Sequence, residues 1–253
     1  MNIWKIGVNS FKRLMRGKLL PVMVVFCLIS IGYAALYGTL TIGQEGKLMR
    51  DVGLAGIAIF AVLIAIMVGS TVVAKEVESK TIQILMAKPV KKHEFLLGEL
   101  LAAALTVLVL VAIMGIGFLI IVAARGVASA SLVNGVLLTF FEALVLASVA
   151  VFFSTFTSGM AASILTILVF IFGHLTYQLP FLAEKAGNFI VKFFGNLLYF
   201  ALPNLQYFNI RGPVAYNLNI PGSVIFGAIV YGLLYATIMV IASNLVFKNK
   251  DFA

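Results

Sequence analysis

The sequence predicts an all-α polytopic membrane protein with six transmembrane helices and an N-terminal amphipathic interfacial helix. It adds a short helix between spans two and three, and an external re-entrant or interfacial helix before span six. Three observations predict this. Of 253 residues, 62% are hydrophobic and only 11% charged, where a soluble domain carries roughly a quarter charged. Mean hydropathy is +1.13, a surplus of apolar surface that only lipid can solvate. Long apolar runs recur without the alternation of a barrel strand, and lipid then admits only helices.

The formal charge of +9 raises nucleic acid as a partner. The lysines and arginines cluster beside apolar runs, however, which is the pattern of a membrane surface and argues against nucleic acid. Cys27 lies alone inside an apolar run and has no cysteine to pair with in this chain.

Residues 1–18 alternate Ile3, Trp4, Ile6, Phe11, Leu14 and Met15 with Lys5, Lys12, Arg13 and Arg16. That is a basic amphipathic helix for the membrane interface, anchored by Trp4. The run that follows is far longer than the core of a signal peptide and lacks a convincing small-residue cleavage site, so it reads as an uncleaved first span. A bilayer core of about 30 Å takes roughly 20 helical residues. On that measure the spans fall near 19–42, 52–74, 95–124, 132–153, 160–179 and 223–247. The third is longer than needed, and its first turns, around Glu94 and Glu99, are expected to project into water.

Between spans two and three lies the densest charge in the chain, with five lysines and two glutamates within residues 73–92. Val77, Thr81, Ile82, Leu85 and Met86 recur there at helical spacing while the charges fall largely on other faces. Pro89 ends this segment, since proline lacks an amide hydrogen and disfavours helix before it. The alternative is a plain solvated loop whose lysines only set topology. Six spans put both termini and this segment on one side, with twelve lysines and arginines against six opposite. That side is therefore cytoplasmic. The connection at 180–222 holds an interrupted apolar stretch (189–202) followed by Pro203, Pro213 and Pro221, which suits a re-entrant or interfacial helix better than a span. With no internal repeat, the chain reads as one membrane domain over 1–253.

No G-x-x-x-x-G-K-[S/T] phosphate loop is present, so the chain is not expected to hydrolyse ATP by that route. No metal-ligand or nucleophile motif stands out, and His93 and His174 fall on opposite sides of the membrane. Glu142 lies deep in a span, where an ionised carboxylate costs on the order of 3 kcal/mol. It is either part of a proton, cation or translocation path, or a structural glutamate bonded to Thr139 one turn away. The second reading is the simpler. Ser163, Thr166, Gly173, His174 and Tyr177 lie near one stripe of the fifth span. They line a polar path or, more simply, let helices pack closely. Ala61, Ala65 and Gly69 read as another close helix contact, within the chain or across a dimer.

The pattern Glu76-x-Glu78-x-x-Thr81-Ile82-x-x-Leu85-x-x-x-Pro89-Val90, followed by Phe95-Leu96-Leu97-Gly98, resembles the permease subunits of ABC-2 type exporters. The ending Leu245-Val246-Phe247-Lys248-Asn249-Lys250-Asp251-Phe252 is similar to that family's C-terminus, and Pro203-Asn204 has a counterpart in many members. Lys80 stands where many members have glycine, and Glu99 where many have lysine. The resemblance implies a pair of permease chains, a homodimer or a pairing with a paralogue, each docked to a separate ATPase subunit that holds ATP and magnesium. The segment around Glu76, Val77, Glu78, Lys80, Thr81, Ile82, Leu85 and Pro89 would then be the ATPase-coupling helix. The permease itself would bind no cofactor or metal. Two other classes remain open, an ion-coupled secondary transporter using Glu142 and His174, and a non-transporting membrane assembly component.

Overall fold

A computed structural model describes residues 3–17, 19–38, 45–78, 92–178 and 201–248, with isolated positions between 181 and 199. The described residues form helices and no strand. In order they are α1 (Ile3–Met15), α2 (Leu19–Gly38), α3 (Glu45–Glu78), α4 (Lys92–Ala124), α5 (Ala130–Ser154), α6 (Gly159–Leu175), the short α7 (Arg211–Ala215) and α8 (Gly222–Lys248). Single 3₁₀ turns cover Thr176–Gln178 and Leu205–Phe208.

Five of these helices are long and apolar enough to cross a membrane, over Gly46–Ala74, His93–Ala124, Ala130–Ser154, Gly159–Gln178 and Gly222–Phe247. Each coincides with an expected span. The second starts earlier than its hydropathy suggested because Lys47 and Arg50 lie inside its first turns. Neither cation interrupts the helix, since Lys47 Nζ donates to the Tyr216 hydroxyl at 2.6 Å and Arg50 Nε to the Gly46 carbonyl at 2.9 Å. α3 also continues to Glu78, so Glu76, Val77 and Glu78 belong to its final turns. Residues 79–91, with Lys80, Thr81, Ile82, Leu85 and Pro89, lie outside the described residues, as does most of 189–202.

α3 and α5 form the centre. They pack along each other more extensively than any other pair, with α4 against both, α2 against α3 and α4, and α8 against α5 and α4. The reason is visible in side-chain size. A Cβ added to Gly69 of α3 would stand 2.6 Å from the Ala147 carbonyl oxygen and 2.6 Å from the Ala150 Cβ of α5, so only hydrogen permits this approach. Ala61, Ala65 and Gly69 therefore make their close contact inside one chain, with Ala61 and Ala65 fully buried. This corrects the dimer reading of that stripe. It follows from packing in lipid, where small residues let backbones approach and dispersion accumulate.

α2 buries Leu20, Val24, Cys27 and Ile31, three or four residues apart, and leaves Val22, Val25, Phe26 and Ile29 exposed to the surroundings of the bundle. Pro21 is tolerated because it stands in the first turn, where amide hydrogens have no intrahelical acceptor. α4 ends at Gly126, whose φ of +70° is the left-handed geometry that glycine adopts without strain. Its amide donates to the Ala123 carbonyl and that of Val127 to Val122, at 3.0 and 3.2 Å, which closes the helix in a Schellman stop. At the other end of the bundle α5 turns into α6 through Thr155–Ser158, and the Ser158 side chain accepts from the Ala161 amide to cap α6.

Candidate functional site

Three sequence-distant segments meet at the first turns of α4. α1 lies across them, and the crossing is glycine on glycine. A Cβ on Gly7 would meet Leu101 Cδ2 at 2.5 Å, and one on Gly98 would meet Ile6 Cγ2 at 2.6 Å. This closeness brings Ser10 and Arg13 over Glu99. The Ser10 hydroxyl donates to Glu99 Oε1 at 2.5 Å, and Arg13 Nη2 approaches Glu99 Oε2 at 3.3 Å. Glu99 is only 2% exposed and Ser10 is 7% exposed. The expectation that Glu99 projects into water is thus corrected. α4 is long enough to leave the bilayer, but α1 covers the part that does, and a buried carboxylate persists there because it is paired and hydrogen-bonded. One helical turn earlier, Phe95 stacks with Phe247 of α8 at a centroid distance of 6.2 Å and an interplanar angle of 22°. Phe247 is fully buried. The N-terminal helix, the helix leaving the charged connection and the end of α8 are therefore one packed junction.

A second polar group lies toward the opposite end. Glu142 of α5 is 4% exposed, and the group facing it is His174 of α6, with Nε2 3.4 Å from Oε1. His174 Nδ1 faces the Phe170 carbonyl at 3.2 Å, and the imidazole sits edge-on to the Phe170 ring. The antiparallel run of α5 and α6 accounts for the meeting. Counting about 1.5 Å per residue from the α5–α6 turn, Glu142 and His174 stand roughly 18 and 22 Å away, on nearly one level. The charge of Arg211, at the start of α7, acts on both groups. Arg211 is oriented by Asn209, whose Oδ1 accepts from its Nε at 3.1 Å.

The stretch that carries Arg211 is held in the bundle rather than over it. Leu205, Phe208, Ile210 and Val214 are buried. Pro203 packs its carbonyl oxygen against Gly173, where a Cβ would come within 2.8 Å. The Asn204 amide donates to the Tyr231 hydroxyl of α8 at 2.8 Å, and the Asn204 side chain accepts from the Gln206 amide. Pro203-Asn204 thus ties the end of α6 to α8 immediately above the Glu142–His174 pair.

The sequence-based path candidates separate accordingly. Glu142 and His174 come together. Thr139 does not bond the carboxylate, as its hydroxyl donates to the Gly135 carbonyl at 2.9 Å. Four-residue back-bonding uses the hydroxyl's one proton within its own helix, so none is left to donate to the carboxylate. Thr166 does the same toward Ala162. Ser163 bonds Ser70 of α3 at 2.8 Å, a helix-to-helix tie near the α5–α6 turn and well below the pair. Tyr177 leaves the stripe altogether, at 72% exposed, because α6 tightens into a 3₁₀ turn at Thr176 and rotates later side chains out of register. Among the described residues no group of three or more His, Cys, Asp or Glu is placed to hold a metal. Sequence reasoning missed Ser10, Arg13 and Arg211. The one available signal was Glu99, an acidic residue within the third span, a few positions along a helix that has to be covered by something basic.

The Glu142–His174 contact predicts non-additive substitutions. Glu142→Ala and His174→Ala should each lower the thermal unfolding midpoint in detergent, and the double variant should lose less than the two losses combined. The expected coupling is about 1 kcal/mol, the upper part of the range for polar pairs in membrane proteins. Strictly additive losses would show that the two side chains do not interact.

No curated protein sequence matches the chain. The family model for ABC-2 family transporter protein matches residues 8–252, a stretch that takes in the α1–α4–α8 junction, the Glu142–His174 pair and the Pro203-Asn204 tie alike. With that match over nearly its whole length and its bundle of membrane-crossing helices, this multi-pass membrane protein belongs to the ABC-2 transporter family as an ABC-2 type permease.

Proposed function

We propose that the chain is the permease subunit of an ATP-driven exporter, forming the translocation path as a dimer and driven by a separate ATPase subunit. In this reading α2 is the first of six spans, so both termini and the charged connection lie in the cytoplasm. The permease hydrolyses nothing and binds no cofactor; ATP and magnesium belong to the ATPase. The segment from Glu76 to Pro89 docks in a groove of that subunit, with Val77, Ile82 and Leu85 as the apolar face and Glu76, Glu78 and Lys80 setting register. ATP favours the closed ATPase pair, and that differential affinity shifts the permease between its states.

The observation that carries this reading is the junction at the start of α4. The helix that leaves the proposed docking segment is locked at Phe95 to the end of α8 and at Glu99 to α1. A force applied to residues 76–89 reaches two further helices within two turns. Co-purification tests it. The native chain should bring down an ATPase from detergent, and Glu78→Ala with Leu85→Ala should lose it while the permease itself remains folded. A folded native chain that recovers no ATPase would overturn the reading.

The Glu142–His174–Arg211 group favours one second reading, ion coupling. It requires that Glu142→Gln abolish ion-driven flux and leave ATP-driven flux intact. The exporter reading requires that no ion gradient drive transport in either protein.

A further inference from the structure

α1 has three faces, and among the described residues only one is fully buried. Ile6, Gly7 and Ser10 are buried against α4. The adjoining face carries Trp4, which is 62% exposed, beside the half-buried Val8 and Phe11. The third face carries Lys5, Lys12 and Arg16, all exposed. At 100° per residue these last three fall within a narrow sector, next to Trp4 and away from Glu99. Arg13, on the far edge of that sector, is the cation that reaches Glu99.

The depth of this helix follows from the one it crosses. The apolar helix His93–Ala124 has 32 residues, about 48 Å at the helical rise, whereas a hydrocarbon core is about 30 Å thick. The surplus is about twelve residues. α1 crosses at Gly98 and Leu101, only five and eight residues from the start of that helix, so the share of the surplus at this end sets the crossing at the border of the headgroup layer. An exposed indole and three cations side by side in that layer are complementary to a phosphate anion above acyl chains.

We propose that the Trp4 and Lys5–Lys12–Arg16 faces of α1 form a binding site for anionic phospholipid. The cations hold the headgroup phosphate, and Trp4, Val8 and Phe11 lie against the upper acyl chain. α1 is tied to α4 through Ser10, Arg13 and Glu99, so the bound lipid stabilises the placement of α1 on the helix that leaves the charged connection. The assignment rests on the membrane-surface position of α1 and not on an ATPase partner. It therefore stands or falls separately from the exporter reading.

Trp4 is the sole tryptophan of the chain and reports on its own surroundings. The full chain is reconstituted in phosphatidylcholine bilayers that contain a minor fraction of brominated lipid, either phosphatidylglycerol or phosphatidylcholine. Brominated phosphatidylglycerol should quench Trp4 several-fold more effectively at equal fraction. A cation near an anionic surface contributes roughly a fivefold preference, so K5Q/K12Q/R16Q should remove most of the difference. High salt applied to the native chain should shrink it without any substitution, which keeps the test decisive if the triple variant folds poorly. Equal quenching by both lipids, or a preference unchanged by both the variant and salt, would overturn the proposal. So would protection of Trp4 from both lipids, which would place a protein partner on this face.

Discussion

Replacing Glu99 with alanine should loosen α1 from α4 and cost about 3 kcal/mol of stability. Breaking a buried ion pair by deleting one partner strands the other. Here the stranded groups are the Ser10 hydroxyl, buried with the carboxylate, and the Arg13 guanidinium, whose side chain is 48% exposed. Water reaches Arg13, which places the loss at the lower end of the range for a broken buried pair. Glu99→Gln retains an acceptor for the Ser10 hydroxyl and should lose about 1 kcal/mol, the worth of a charge-assisted bond reduced to a neutral one. The thermal unfolding midpoint of the purified chain reads both. If Glu99→Ala unfolds with the native midpoint, the carboxylate is not what holds α1. In the exporter reading the same variant should also release less transported substrate per ATP, because α1 no longer follows α4.

Gly69→Val should be as damaging, through a different cause. Its new Cβ would fall 2.6 Å from a backbone oxygen of α5 and 2.6 Å from the Ala150 Cβ. A flexible side chain can rotate away from such an intrusion, but a helix backbone cannot. α3 and α5 would have to separate along their most extensive contact, and the expected loss is about 3 kcal/mol or more. Gly56→Ala on the same helix is the control. Nothing lies within 4 Å of its added Cβ, so the substitution should be neutral or stabilising by up to about 1 kcal/mol through helix propensity. A Gly69→Val chain as stable as native would show that α3 and α5 do not approach as closely as described. Equal losses at both positions would point to general helix sensitivity instead.

The helices were legible because transfer into lipid depends on each segment alone. Hydropathy placed Ala130–Ser154, Gly159–Gln178 and Gly222–Lys248 within one or two residues. The start of α3 was less legible. Lys47 and Arg50 look like the edge of a loop until their partners, Tyr216 and the helix's own carbonyl at Gly46, are known. Glu142 and His174 were each conspicuous as polar groups in apolar runs, yet the obvious local partner, Thr139, proved to be satisfied by its own helix.

The sequence by itself determined that the chain is a helical membrane protein, roughly where it crosses, and which family its motifs resemble. Those properties are sums over short stretches of chain. Tertiary structure alone decided that Gly7 meets Gly98, that Arg13 and Ser10 cover Glu99, that Phe247 stacks on Phe95, and that His174 faces Glu142. Each of these depends on the angle and height at which two helices cross. Crossing is governed by small residues such as Gly69 and Gly98, whose single missing methyl group leaves no signature in hydropathy and becomes decisive only when another backbone arrives beside it.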